Sequence, residues 1–383
     1  MRFCNVKKIV YVVSTLGRSG PTNQLFNLIK YIDKSSFSVN IITFSPEPEQ
    51  TRWKDFKDLD VSLTSLSMSR LKGMFFLRKE LMFFLKKERP DIIHSQGFRA
   101  DFLVSLIRTN SKKLCTIHNF PKLDYRMTYG VILGGIMSFI HLIAMRKFNL
   151  RVAVSDAVKK CLINDRDVGE VVSIPNGVDT ELFRTNSSKK SLLKRKLLLG
   201  DNDIVFISSG HLVDRKDPLF LIDAFSELIK KNKRLKLILL GDGLLKRQCE
   251  FEIESEEGIL SLGHVDNVSD YLLCADYYVS ASKAEGLPYS VIEALACGLP
   301  LLISNISPHI ELMHMGGEGN LGFLYELSKK EDFIKKINLL LSANRSLLAD
   351  NAIKLVDERL NSKIMASLYE RNYFDIISGE PSH

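Results

Sequence analysis

Short runs of β-branched and other apolar residues alternate with stretches of helical periodicity along this whole chain, and that alternation restricts the fold more than any other feature. It is the pattern of parallel sheets whose strands are joined by crossover helices. In the first half the expected strands are Lys8–Val13, Val39–Phe44, Asp91–His94, Leu114–His118, Arg151–Val154 and Val171–Ile174. In the second they are Ile204–Ser208, Leu235–Leu240, Ile259–Leu262, Tyr277–Ser280, Leu301–Ser304 and Gly322–Tyr325. The pattern stops after the turn Pro175-Asn176-Gly177 and restarts near residue 200, so the polar, lysine-rich stretch 179–200 reads as an interdomain linker. At 383 residues the chain exceeds what one core usually organises. The expected fold class is α/β, with two doubly wound, Rossmann-like parallel-sheet domains over residues 1–178 and 179–362.

Hydrophobic residues make up 45% and charged residues 26%, a balance that lets both halves build a core. Charge is unevenly placed. Residues 1–175 hold 28 Lys and Arg against 15 Asp and Glu, a surplus of 13, whereas the remainder carries a net charge of −5. A basic half suits nucleic acid, anionic lipid or solubility alone. The sequence contains no signature of a nucleic-acid-binding module, so an anionic membrane surface is the expected partner and nucleic acid is not. Cys4, Cys115, Cys161, Cys249, Cys274 and Cys297 occur singly, without CxxC pairs or zinc-finger spacing, and read as reduced core thiols. The N-terminal run Met1–Lys8 turns basic before any long apolar stretch, which predicts no signal peptide and a cytoplasmic chain.

Two segments depart from ordinary soluble helices. Lys72–Lys87 places Met74, Leu77, Leu81, Phe84 and Leu85 on one face, with lysines and an arginine opposite, as an interfacial helix does. Tyr129–Met145 has no charged residue if His141 is neutral. Its length is at the short edge for the roughly 30 Å hydrocarbon layer, so it is expected to lie on a membrane or to be a core helix of the first domain.

The strongest chemical signal is Ala284-Glu285-Gly286-Leu287-Pro288-Tyr289-Ser290-Val291-Ile292-Glu293-Ala294, which follows a strand and a loop serine, Ser282. With Pro288 near the first turn, the amides of about 287–291 are expected to point out of a helix N-terminus, where unpaired N–H groups and the helix dipole stabilise an anion. Glu285 precedes that terminus and Glu293 lies inside the helix, so a phosphate can sit between carboxylates that accept hydrogen bonds from hydroxyl groups. A diphosphate flanked by two sugars has that form. The second signal, Ser209-Gly210-His211-Leu212-Val213-Asp214-Arg215-Lys216, leaves another strand with a glycine for close backbone approach and three groups able to face a diphosphate. Leu240-Gly241-Asp242-Gly243 adds a further close-approach turn. All three sit at C-terminal strand ends, where doubly wound sheets bind ligands.

Together the runs GHLVDRK, GDG, LGHVDN and CADYYVSASKAEGLPYSVIEALACGLP resemble the donor domain of the GT4-type retaining glycosyltransferases (glycosyl transferases group 1), marked by two glutamates with seven residues between them, here Glu285 and Glu293. The first half agrees. Gly17-Arg18-Ser19-Gly20 resembles the family's glycine-rich loop, Asp91–His94 and Thr116–Asn119 its histidine-ending strands, and Val152–Ser155 and Ile174–Asp179 the stretch before its hinge.

The resemblance implies the GT-B fold, with two domains facing across a cleft, residues 1–178 binding acceptor, residues 179–362 binding donor, and a C-terminal helix at about 363–383 packing back onto the first. It implies a nucleoside-diphosphate sugar as donor, with Glu293 accepting from ribose, Glu285 contacting the transferred sugar and Lys216 binding diphosphate. Amides of Gly286, Leu287, Ser290 and Val291 would hold the distal phosphate. Gly17 and Gly20 would close on the donor, and Gly210, Arg215, Gly241, Gly243 and Val265 would line its pocket. His118 would reach the sugar near the reacting carbon, making His118, Lys216 and Glu285 the catalytic set. His211 stands where the family usually has arginine, so Arg215 is the alternative source of that charge. Without the resemblance, His118 reads as a structural histidine, and His94 is read so in any case. No cofactor and no metal are expected. The implied reaction is retaining transfer to an acceptor hydroxyl, with a lipid-linked saccharide in surface-polysaccharide assembly as the acceptor, at the inner face of the cell membrane. Two rivals use the same architecture. A nucleotide-sugar epimerase would convert donor without acceptor, and a non-catalytic partner subunit would turn over neither.

Overall fold

The computed structural model describes residues 6–165, 168–184, 187–254 and 256–379. Cys4 and most of the Met1–Lys8 run, residues 185–186 of the expected linker and 380–383 of the expected terminal helix lie outside them. The chain divides into two compact units, one of residues 1–177 with 362–383 and the other of residues 178–361.

Seven strands build the first sheet: β1 (Lys7–Val13), β2 (Phe37–Thr43), β3 (Ser62–Ser65), β4 (Ile92–Gln96), β5 (Lys112–Ile117), β6 (Leu150–Ala153) and β7 (Val171–Ser173). Their order is β3-β2-β1-β4-β5-β6-β7, and all pairs are parallel. The strand β1 reads KKIVYVV and is buried from Ile9 onward, as a β-branched run must be when helices cover both faces of its sheet. Helices Gly20–Tyr31 and Ser362–Ser378 pack together. Ser362, Met365, Ala366, Tyr369, Tyr373 and Ile376 form the buried stripe of the latter, at three- and four-residue spacing. That stripe closes one core with Tyr11, Leu28, Ile29 and Phe37.

The second sheet holds β8 (Ile204–Ser209), β9 (Leu235–Leu240), β10 (Ile259–Ser261), β11 (Tyr277–Ser280), β12 (Leu301–Ser304) and β13 (Gly322–Tyr325), in the order β10-β9-β8-β11-β12-β13, again parallel. Both sheets therefore have a switch point where connections leave in opposite directions, between β1 and β4 in the first and between β8 and β11 in the second. Ligands of doubly wound sheets bind outside the strand ends at that point.

Three expectations need correction. The lysine-rich stretch 179–200 is not a free linker, because it contains helix Ser187–Lys196, which packs on helix Val268–Cys274 of the second unit. The uncharged run Tyr129–Met145 is not one segment. Gly130, at φ +81°, ends helix Pro121–Tyr129 and starts helix Val131–Met145, and a Cβ on Gly134 would overlap the Tyr125 carbonyl where the two helices meet. In helix Arg70–Glu88 the expected face holds at Leu77, Leu81 and Leu85, which are buried with Gly73, but Met74 is exposed beside Phe75, Phe76 and Phe83, and Phe84 is only half-buried.

Val131, Ile132, Leu133, Ile136 and Phe139 are exposed as well, on a helix whose other face buries Ser138, His141 and Leu142. Among the described residues no helix is long and apolar enough to cross a membrane.

Candidate functional site

At the switch point of the second sheet, the loops after β8 and β11 bring opposite charges together. Gly210, at φ +148°, turns the chain out of β8, and a side chain there would crowd Lys216, whose Cε lies 3.3 Å from where its Cβ would be. The chain then makes a single turn of 3₁₀ helix, Asp214–Lys216, before helix Pro218–Lys231. From that turn Lys216 Nζ reaches Glu285 Oε1 at 2.5 Å and Arg215 Nη1 reaches Glu285 Oε2 at 3.0 Å. Arg215 also donates to the Ala284 carbonyl at 2.6 Å. Lys283 N–H donates to the Arg215 carbonyl at 2.8 Å, so the loops are joined by backbone as well as by charge.

Glu285 is 7% exposed. Burial pushes its pKa up, but Lys216 and Arg215 outweigh that and hold it at about 2. Lys283 in turn bridges Asp214 at 2.9 Å and Asp217 at 3.1 Å, so three cations and three carboxylates interlock at the strand ends, beside the N-terminus of helix Tyr289–Ala296.

Gly286 and Leu287 are buried in the turn into that helix. Its amides offer less than expected, because the Val291 N–H completes the first turn on the Pro288 carbonyl at 3.2 Å. Ser290 hydrogen-bonds the Tyr278 hydroxyl, which itself donates to the Ser209 carbonyl at 3.3 Å, so the helix start is tied to the end of β8. Glu293 is half-buried. Its charge adds to the burial that raises the pKa values of Tyr278 and Cys297.

His211 is exposed and lines a small pocket with Ser209, Gly210, Lys216, Ser280 and Ser282. The close approach that Gly241 and Gly243 permit is to neighbouring backbone. A Cβ on Gly241 would overlap the Gly210 carbonyl, and one on Gly243 would overlap that of Leu212. Val265 is half-buried in the loop after β10, which Gly263 ties to the Gly241 N–H at 2.7 Å.

The remaining predicted residues belong to the first unit. Gly17 lies in the loop after β1, where its carbonyl accepts from Thr22 Oγ1 at 2.6 Å. Gly20 opens helix Gly20–Tyr31, which Ser19 caps by accepting from the Thr22 N–H. His118 follows β5, part-buried, with Nε2 at 3.3 Å from Gln96 Oε1. Burial pushes its pKa well below the usual histidine value. His94 is wholly buried and bonded at both nitrogens, to Tyr373 and Thr116, as a structural histidine is. Of the cysteines, Cys115, Cys249, Cys274 and Cys297 are buried and unbridged.

Sequence reasoning missed His309. It is buried on helix Ser307–Met315, where Nδ1–H donates to the Ser304 carbonyl at 2.9 Å and Nε2 has no hydrogen-bond partner among the described residues. Burial lowers its pKa to about 4, with Glu285 opposing, so it stands in the field of the charge cluster. The run Ser307-Pro308-His309, two residues beyond a strand end, was the available signal.

Residues 18–182 match the Glycosyltransferase Family 4 description and residues 189–355 match Glycosyl transferases group 1. The UDP-Gal:α-D-GlcNAc-diphosphoundecaprenol α-1,3-galactosyltransferase of Escherichia coli is 26% identical over 72% of this chain and 75% of its own length. The O-antigen biosynthesis glycosyltransferase WclY of Escherichia coli is 24% identical over 96% and 98%. Among solved structures, Anabaena HepE in complex with UDP and glucose superposes with a TM-score of 0.79 at 18% identity, covering 97% of this chain and 100% of that one. Sucrose-phosphate synthase of Thermosynechococcus elongatus gives 0.82 at 16% identity over 98% and 100%. Both likenesses show the GT-B fold.

Proposed function

This chain belongs to the GT4-type glycosyltransferases, and from that membership we propose that it moves a glycosyl group from a nucleoside-diphosphate sugar to an acceptor hydroxyl with retention at the anomeric carbon. The observation that carries the proposal is the meeting of Lys216, Arg215 and Glu285 at the second sheet's switch point, beside a helix N-terminus. A diphosphate entering there gains the helix dipole and can draw Lys216 from Glu285, so the leaving group's charge is met by fixed protein groups. In this reading residues of the second unit bind the donor, with Glu293 accepting from the nucleoside's ribose and Glu285 facing the transferred sugar. The first unit binds the acceptor and contributes His118 and the Gly17–Gly20 loop. The reaction needs no metal ion.

We further propose a lipid-linked saccharide as acceptor, met at the inner face of the cell membrane as surface polysaccharide is built. The name of the galactosyltransferase relative, whose acceptor is a diphosphoundecaprenol, supports this reading. So do the exposed apolar residues of helices Arg70–Glu88 and Val131–Met145, in a half of the chain that carries the basic surplus.

The test is a thermal-shift panel of nucleotide sugars, headed by uridine diphosphate sugars because HepE was solved with UDP-glucose. A donor at 100 times its Kd should stabilise by about 2.7 kcal/mol. The donor so found is then incubated with and without a lipid-linked acceptor, with and without EDTA. Transfer only with acceptor, undiminished by EDTA, is expected. Conversion of donor alone would establish the epimerase, and loss of transfer in EDTA would overturn the metal-free part.

A further inference from the structure

Behind His118 a line of buried polar side chains crosses the first unit to the C-terminal helix. Gln96 Nε2 donates to Gln24 Oε1 at 2.8 Å, which leaves Gln96 Oε1 to face His118 Nε2 at 3.3 Å. A carbonyl oxygen only accepts, so His118 must carry its proton on Nε2. Gln24, accepting through its oxygen, donates through its amide nitrogen to Met365 Sδ on the C-terminal helix at 3.9 Å, one turn from Tyr369. Tyr369 OH lies 2.9 Å from Thr116 Oγ1, and Thr116 Oγ1 lies 2.8 Å from His94 Nε2. His94 Nδ1 reaches Tyr373 OH at 2.7 Å, and Tyr373 reaches Tyr11 OH at 2.9 Å.

The direction of donation is set from His118 through Gln96 to Gln24, while the Tyr369–Thr116, Thr116–His94, His94–Tyr373 and Tyr373–Tyr11 bonds can each run in either sense. Gln24, His94, Thr116, Tyr369, Tyr373 and Tyr11 are almost wholly buried, and Gln96 is 6% exposed, so water does not compete for these bonds.

We propose that the Gln24–Gln96 amide pair, anchored on Met365 of the C-terminal helix, is a positioning device that fixes His118 as the Nε2–H tautomer and makes it a hydrogen-bond acceptor, through Nδ1, for a hydroxyl of the sugar. The functional half rests on the proposed contact between His118 and the sugar. The tautomer does not. Held in this way, His118 accepts a hydrogen bond from a sugar hydroxyl but neither donates to the leaving diphosphate nor carries a positive charge. Its downward pKa shift agrees, and His94, its neutral titratable neighbour, adds no charge.

The tautomer is read directly by two-bond ¹⁵N–¹H NMR on histidine-labelled protein, with His118 assigned by the signals lost in His118→Ala. The expected pattern is an Nε2–H ring that does not titrate between pH 8 and pH 5. An Nδ1–H ring, the result if both amides were reversed, overturns the proposal, and so does titration near pH 6.5.

In Gln96→Leu the lock is gone, so both tautomers should appear and kcat should fall on the order of tenfold with the donor KM little changed. Gln96→Glu keeps an acceptor and adds a negative charge. There His118 should stay Nε2–H, its pKa should rise, and activity should fall as pH drops through that raised value and the Nδ1 acceptor is protonated. A residue that merely packs would not move the two variants in these different ways. If Gln96→Leu does not fold, Gln96→Glu decides. A released tautomer with unchanged kcat would refute the positioning role. Full turnover by His118→Ala would instead sink the proposed sugar contact while the measured tautomer stood.

Discussion

Glu285 pairs with both Lys216 and Arg215, and substitutions at Lys216 and Glu285 test what that cluster does. Lys216→Ala removes the cation that a diphosphate would draw away, and turnover should fall roughly 10²–10³-fold, the scale of one group aimed at developing charge. Near-normal turnover would refute that role, and circular dichroism would show that the fold survived. Glu285 also links stability to pH. Its folded pKa, about 2, lies below its usual value of 4.5, so its contribution is complete above about pH 4.5 and is lost as pH falls toward 2. In Glu285→Gln, Tm should therefore decline less steeply than in the wild type between pH 4.5 and pH 2. Parallel curves would mean that the pair contributes nothing to folding. Lys216 and Glu285 were legible in the sequence because their chemistry lies in local runs at strand ends. Gln24, Gln96 and Tyr369 were not. Gln24 and Gln96 meet across 72 residues of chain, and Thr116 and Tyr369 across 253, so only tertiary structure pairs them. The limits of the 284–294 run were also hidden, because whether the Val291 amide is available depends on where the first helical hydrogen bond forms.

Elements were read best where burial on both faces forces an unbroken apolar run. All twelve expected strands are present, with ends shifted by two residues or fewer. The missed strand, β3, reads Ser-Leu-Thr-Ser, lies at the sheet edge and buries none of its residues, so it carries no run to detect. Periodicity found Leu77, Leu81 and Leu85 on the buried face of helix Arg70–Glu88 but wrongly added Met74 and Phe84, because its apolar residues nearly encircle it and only packing selects the row Gly73, Leu77, Leu81 and Leu85. That choice sharpens the membrane prediction. Phe75 is 77% and Phe83 69% exposed, with Phe76 beside them, whereas Phe84 is half-buried and belongs to the packing. Replacing Phe75, Phe76 and Phe83 by serine should leave Tm nearly unchanged, since surface substitutions usually lie within about 0.5 kcal/mol. Binding to anionic vesicles should weaken markedly, and the wild-type binding should fall with salt. Equal vesicle binding by the folded triple variant would show that helix Arg70–Glu88 does not dock.

Across the whole molecule, each sheet reverses its winding once, and three of the predicted stretches lie at those reversals. Gly17 follows β1, while Lys216 follows β8 and Glu285 follows β11; His118, Gly241 and Val265 follow the neighbouring strands β5, β9 and β10. That placement follows from topology, which is why fold class was legible from strand alternation alone, whereas the return of the chain to its first unit through Ser362–Ser378 was readable only through resemblance. The division of labour bears on stereochemistry. Inversion requires a general base on the face of the sugar opposite the leaving group, and His118 is the proposed sugar-facing residue of the first unit. Its partner is the Gln96 amide and not a carboxylate, and burial depresses its pKa far below neutrality, so it is a poor proton acceptor. In a retaining reaction the acceptor enters on the side of the departing diphosphate, whose oxygen takes the proton, and a neutral His118 need only hold a hydroxyl. With a donor of defined anomeric configuration, the first-formed product should therefore carry the same configuration, read from the anomeric ¹H coupling before any equilibration. His118→Ala should slow that product about 10²-fold without changing its anomer, because the group orients the sugar and does not choose the face. An inverted centre would require a base that this arrangement does not provide, and would overturn the retaining assignment.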